Sequence, residues 1–135
     1  MNVSANELAE IITRALNRCE YCKMHQALQG ATFHVEHIRP LVLGGSDSLE
    51  NLAWACPSCN LFKGSRVGLI NEQTGEVVPL FNPRQDQWEA HFGWRGEELV
   101  GLTEIGRSTV TVLQLNSERR ILIRQAERHF ALFPP

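Results

Sequence analysis

Cys19-Glu-Tyr-Cys22 and Cys56-Pro-Ser-Cys59, with 33 residues between the two pairs, decide how the rest of the chain is to be read. Paired CxxC units at this separation, in a chain whose opening residues show no basic segment followed by an apolar run, indicate a metal site before a disulfide framework. Four thiolates surround one zinc ion tetrahedrally and leave no position open, so the expected site is structural rather than catalytic. Unlinked buried thiols or a redox pair are the competing reading of the same four residues.

The segments around the pairs predict an α+β arrangement. Ser4 followed by Glu7 forms a capping box. Leu8, Ile11, Ile12, Ala15 and Leu16 then repeat at helical spacing, which gives an N-terminal helix leading to Cys19. Thr32 to Ile38 is rich in β-branched and aromatic residues and predicts a strand stopped by Pro40, with Phe33 and Val35 on one face and His34 and Glu36 on the other. Leu43-Gly-Gly-Ser-Asp47 is a loop, Asn51 to Ala55 a second strand, and Pro57 opens a short helix that stops near Gly64. The order is strand, loop, strand, helix.

Beyond residue 70, Thr74-Gly75 marks a hairpin between Val67 and Leu80, and Asn82-Pro83 a turn before the aromatic residues Trp88, Phe92 and Trp94, which are expected in the core. Strand and helix cannot be separated over Leu99 to Leu115. A last helix starts at Ser117-Glu118, with Ile123, Ala126 and Phe130 expected inward and Arg120, Arg124 and Arg128 outward as a solvated stripe. The 135 residues, 43% of them hydrophobic, suit one domain. Within it, residues 1–69 form the core that carries the zinc site, and residues 70–135 a mixed extension packed on that core.

No stretch approaches the roughly 20 apolar residues a membrane helix needs, so no membrane partner and a cytoplasmic location are expected. Net charge is −2, so any nucleic-acid binding must be local rather than a property of bulk charge. Arginine outnumbers lysine eleven to two, and its planar fork suits bidentate phosphate contact.

Between the cysteine pairs lie His34-Val-Glu36-His37-Ile-Arg-Pro40, Gly44-Gly45 and Asn51-Leu52, and the second pair continues as Cys59-Asn60-Leu-Phe-Lys63-Gly64. Over Cys19 to about Arg66 the chain resembles the HNH endonuclease family in residue type, order and spacing. Its pattern is CxxC, an acidic residue followed by His and an apolar residue before Pro, a Gly-Gly loop, Asn-Leu, then CxxCN and Lys-Gly. The later residues Leu80-Phe-Asn-Pro-Arg84, Trp88, His91-Phe92, Gly101-Leu-Thr103 and Gly106-Arg107 are similar to a C-terminal extension found in a bacterial subset of that family.

The resemblance implies a small ββα-metal core and a nuclease acting on nucleic acid; DNA is expected ahead of RNA as substrate, although the residues themselves leave both open. It implies further that Glu36 and Asn60 bind a catalytic divalent ion, that His37 is the general base, and that Asn51 orients His37 through the backbone. Two departures stand out: Glu36 replaces the more usual Asp, and Asn60 stands where many members have a third His.

The residue chemistry agrees with those roles independently. Phosphodiester hydrolysis needs a water deprotonated near neutral pH and charge offset on the phosphate. Histidine titrates in the right range for the first task, and carboxylate and amide oxygens suit Mg2+ or Mn2+ for the second. Neighbouring strand residues point to opposite faces, so Glu36 and His37 are expected to need a bulge or a strand end to address one ion. His34, Lys63 and Arg66 are candidate substrate contacts. A zinc-stabilised nucleic-acid-binding module without catalysis is the alternative function.

Overall fold

In the computed structural model, which describes residues 2–135, two short strands and a helix carry His34, Glu36, His37, Leu52, Cys59, Asn60 and Lys63 of the central motif, and loops and caps carry the rest. Strand β1 (His34–His37) pairs antiparallel with β2 (Leu52–Ala55) in the register His34↔Ala55, Val35↔Trp54, Glu36↔Ala53 and His37↔Leu52. The ladder runs to the end of β1 without a bulge. Both strands are shorter than expected: β1 lacks Thr32, Phe33 and Ile38, and β2 lacks Asn51, which ends the 3-10 turn Leu49–Asn51. Helix α2 (Pro57–Lys63) follows β2 directly. Cys56 is its N-cap, with Sγ accepting from the Cys59 amide at 3.4 Å, and Pro57 takes a first-turn position where no amide hydrogen is needed.

Helix α1 (Ala5–Arg14) precedes this unit. Ser4 Oγ accepts from the Glu7 amide and Glu7 Oε1 from the Ser4 amide, both at 3.1 Å, which completes the capping box. The helix ends at Arg14, and Leu16 and Asn17 then adopt left-handed backbone. Only part of the expected apolar face is covered: Ile11 is fully buried, whereas Leu8 and Leu16 are exposed. Helix α1 therefore packs by its C-terminal turn, against β2.

The remaining chain adds two hairpins and three helices. Strands β3 (Gly68–Ile70) and β4 (Val77–Pro79) form the hairpin around Thr74-Gly75. Helix α3 (Trp88–His91) leads into β5 (Phe92–Arg95) and β6 (Glu98–Gly101), then α4 (Glu104–Val112) and α5 (Glu118–His129). The ambiguous stretch from Leu99 thus divides into the end of a strand and a helix, the latter capped by Thr103 Oγ1 on the Gly106 amide at 3.1 Å. Trp88 donates its indole N–H to Tyr21 O at 2.9 Å, Phe81 meets the Tyr21 ring edge-on at 6.4 Å, and Arg84 pairs with Glu20. These contacts tie the residues after 70 to the first cysteine knuckle.

Helix α5 turns the opposite way from expectation. Arg120, Arg124 and Glu127 face inward, at 1%, 0% and 1% exposure, while Ala126 and Phe130 are exposed and Ile123 only half-buried. Arg128 alone of the arginine stripe stays outside, where it pairs with Glu97 at 3.2 Å. Four-residue spacing defines a face but not which face is covered. Here backbone carbonyls and sulfur atoms wait as acceptors where an apolar core was expected. The Arg124 guanidinium donates to Leu115 O at 2.6 Å and Glu97 O at 3.0 Å, and stacks over Trp94 at 5.3 Å.

Candidate functional site

Two sites share helix α2. On one side lies the cysteine cage. Cys19 and Cys22 come from a tight knuckle in which the Cys19 amide donates to Met24 O and the Lys23 amide to Cys19 O, at 2.9 and 2.8 Å. Cys56 and Cys59 come from the start of α2. All four are buried, and their sulfurs lie within 4.8 Å of one another, with Cys22 and Cys56 at 3.8 Å. A tetrahedral zinc ion with bonds of about 2.3 Å requires sulfurs about 3.8 Å apart. A disulfide requires about 2.05 Å. The cluster therefore fits zinc and not a pair of cystines. Burial pushes the Cys19 and Cys59 thiols up, so without a metal they keep their protons. Despite the same burial, Cys22 is held below the usual thiol value by hydrogen bonds with the other three sulfurs and by Arg120.

On the other side of α2, an open pocket of about 270 Å3 is lined by Glu36, His37 and Asn60, together with Pro40, Leu41, Val42, Gly64 and Ser65. No bulge is needed to bring Glu36 and His37 to it, because His37 is the last residue of β1 and the chain turns there towards Pro40. His37 Nε2 lies 2.7 Å from Asp47 Oδ1. Asp47 was not among the sequence candidates: it sits ten residues from His37 in the loop after Gly44-Gly45, and nothing in its spacing marks it. The hydrogen bond from His37 is the main cause that holds the Asp47 carboxyl below the ordinary carboxylate range.

Asn51 lies off the pocket and clamps the loop that follows His37. Its Oδ1 accepts from the Arg39 amide at 2.9 Å, and its Nδ2 donates to Arg39 O at 3.0 Å and to Ser46 O at 2.8 Å. The Gly-Gly pair makes this clamp possible. Gly44 takes left-handed backbone at φ 87°, and a Cβ on Gly45 would stand 1.8 Å from Arg39 O and 2.9 Å from Asn51 Nδ2.

Glu36 is 5% exposed. Its Oε1 accepts from the Tyr21 hydroxyl at 2.5 Å. Lys63 Nζ lies 3.0 Å from Oε2, yet it directs its hydrogen bonds at His37 O and Ile38 O, at 3.1 and 2.9 Å, which leaves Oε2 buried without a hydrogen-bond partner. Burial raises the Glu36 carboxyl above its ordinary value, and Lys63 and Tyr21 oppose that rise. A carboxylate and an amide side chain lining one open pocket are a donor set that fits a hard divalent ion, with Lys63 as the cation such an ion would compete with at Oε2.

The expected phosphate contact at Lys63 is corrected: its side chain is 2% exposed, and its ammonium holds β1 to α2. His34 and Arg66 are exposed, His34 at the start of β1 and Arg66 two residues beyond Gly64. Tyr21 and Arg120 also escaped the sequence reading, the first inside the CxxC knuckle and the second 61 residues from the cysteine it touches.

Among the described residues, no helix is long and apolar enough to cross a membrane. No curated protein and no solved structure matches the chain. Residues 19–66, which contain the cysteine cage, β1, β2 and α2, match the HNH endonuclease family model, so this segment is similar to that family, a likeness that points to a nucleic-acid-related function.

Proposed function

We propose that the protein is a divalent-metal-dependent endonuclease that hydrolyses phosphodiester bonds, of DNA rather than RNA, with His37 as general base. The observation that carries this reading is the convergence of Glu36, His37 and Asn60 on one open pocket with His37 held by Asp47. The Asp47 carboxylate accepts a hydrogen bond from His37 Nε2–H, and with the ring hydrogen on Nε2 the Nδ1 lone pair is free to take a proton from an attacking water. Asn51 supports the same geometry from behind by fixing the backbone two residues after His37. The cysteine cage has no open ligand position and takes no part in the chemistry. A magnesium or manganese ion would be held by Glu36 Oε2 and the Asn60 amide oxygen, and would supply charge stabilisation at the scissile phosphate. His34 and Arg66, both exposed, are the residues we assign to contact with the phosphate backbone. The preference for DNA rests on the family resemblance.

One observation favours a second reading. Lys63 already neutralises Glu36, as expected of a zinc-braced nucleic-acid-binding module that needs no second metal. Supercoiled plasmid and a structured RNA, incubated with zinc-loaded protein in Mg2+ or Mn2+, separate the two. Metal-dependent nicking of the plasmid, lost when Mg2+ and Mn2+ are omitted while zinc content stays constant, is the expected result. Binding without cleavage in either metal would establish the module instead.

A further inference from the structure

The buried face of α5 poses an electrostatic question that the proposed cleavage reaction does not answer. Arg120, Arg124 and Glu127 recur at helical spacing and all point into the fold. Glu127 accepts from the His25 amide at 2.7 Å and is the one carboxylate on this face. It can balance one arginine. Arg124 otherwise donates through Nη1 and Nη2 to carbonyls and to Asn116 Oδ1 at 3.3 Å, and its Nε is left without a partner. Arg120 is as fully buried, with Nη2 on Leu113 O at 2.8 Å and the guanidinium 6.0 Å over the Phe62 ring. Its Nη1 points at Cys59 Sγ at 3.1 Å. A guanidinium at this depth without a counter-charge is strongly unfavourable. A zinc ion bound by four thiolates carries a net charge of −2 and has the reciprocal problem. Each supplies what the other lacks.

We infer that Arg120 is a positioning residue of the cysteine cage: it donates to the Cys59 thiolate and offsets the charge of the zinc-loaded cluster, so that zinc retention and the docking of α5 are one coupled event. The inference is independent of whether the pocket across α2 cleaves anything. The C-terminal helix is thereby made part of the metal site, although its nearest ligand is 61 residues away in the chain. Groups outside a metal's own ligand set typically change affinity about 10–100-fold when removed, and a hydrogen bond to a thiolate sulfur also alters its donor strength to the metal.

The test compares Arg120→Lys and Arg120→Met with Gln125→Ala, an exposed position on the same helix. Zinc transfer to a chromogenic chelator gives the release rate, and the sulfur-to-metal charge-transfer band of the cobalt(II)-substituted protein reports on the Cys59 thiolate. Arg120→Met should release zinc about 10–100-fold faster than the native chain, Arg120→Lys should be intermediate, and both should shift the band. Gln125→Ala should do neither. A helix residue that only fills space would alter stability without moving the band. Because Arg120→Met also removes the bond to Leu113 and is exposed to global unfolding, the deciding variant is Arg120→Lys. Native release and an unshifted band in folded Arg120→Lys protein would overturn the inference.

Discussion

The two faces of α2 differ in the way a structural and a reactive site should differ. The cysteine cage is closed: all four sulfurs are buried, they converge to tetrahedral spacing, and an arginine from the far end of the chain covers them. The pocket is open: His37 keeps 16% of its side chain exposed, and Glu36, His37 and Asn60 all line it. One helix of seven residues, Pro57–Lys63, supplies Cys59 to the first site and Asn60 to the second. Adjacent helical residues point about 100° apart, which is how two neighbours can serve two sites. The difference teaches that rigidity comes from the side that binds zinc, and that the side facing solvent borrows it.

That division predicts a graded series of effects. The largest falls on the cage. Cys59→Ser removes a ligand and with it zinc binding, whose apparent free energy in small zinc domains is of order 10–16 kcal/mol. Metal analysis should find little zinc, and circular dichroism should show the folding transition lost along with any cleavage. A folded, zinc-free Cys59→Ser protein would break the comparison at its first point.

Lys63 comes next. It sits between the two sites and forms a buried ion pair with Glu36. Lys63→Met leaves a buried carboxylate without its partner, and denaturant unfolding should register a loss of about 3–5 kcal/mol. A Lys63→Met protein of native stability that only binds nucleic acid more weakly would restore the phosphate-contact role the sequence suggested.

The smallest effect concerns Asp47, which is half-buried and touches the pocket through His37 alone. Asp47→Asn should lower kcat with little change in KM or in unfolding midpoint, because the amide no longer favours the tautomer with hydrogen on Nε2. The pH dependence has a fixed sign. A carboxyl whose folded value lies below its unfolded value stabilises the contact above the ordinary carboxylate range, and that stabilisation is lost as pH falls through the lowered value. The Asp47 carboxyl, followed by its side-chain carbon chemical shift, should therefore stay ionised near neutrality and titrate below the ordinary carboxylate range, and His37→Ala should move that titration back up towards it.

How much of this was legible in the sequence depends on the kind of signal. Cysteine spacing, Pro57 after Cys56 and the β-branched run ending at Pro40 are local, and β1, β2 and α2 follow from them. The α+β class follows as well. What is not local was missed. Asp47 reaches His37 only because Gly45 lets the loop close against Arg39. Lys63 looks like a surface cation at a helix end, yet its partners are the carbonyls of His37 and Ile38, which no one-dimensional pattern shows. Helix α5 was placed at the right residues and turned the wrong way, since hydrophobicity decides a buried face only when the surroundings are apolar. Here they are the sulfur of Cys59 and the carbonyls of Leu113 and Leu115.

The central claim is that the open pocket performs general-base hydrolysis while the closed cage only braces it, and single-turnover cleavage by His37→Ala tests it most directly. With zinc content and folding matched to the native chain, and at saturating Mg2+ or Mn2+, the rate should fall by about 10²–10⁴-fold, the usual worth of a positioned base, with binding retained. A His37→Ala protein that cuts at the native rate would contradict the account.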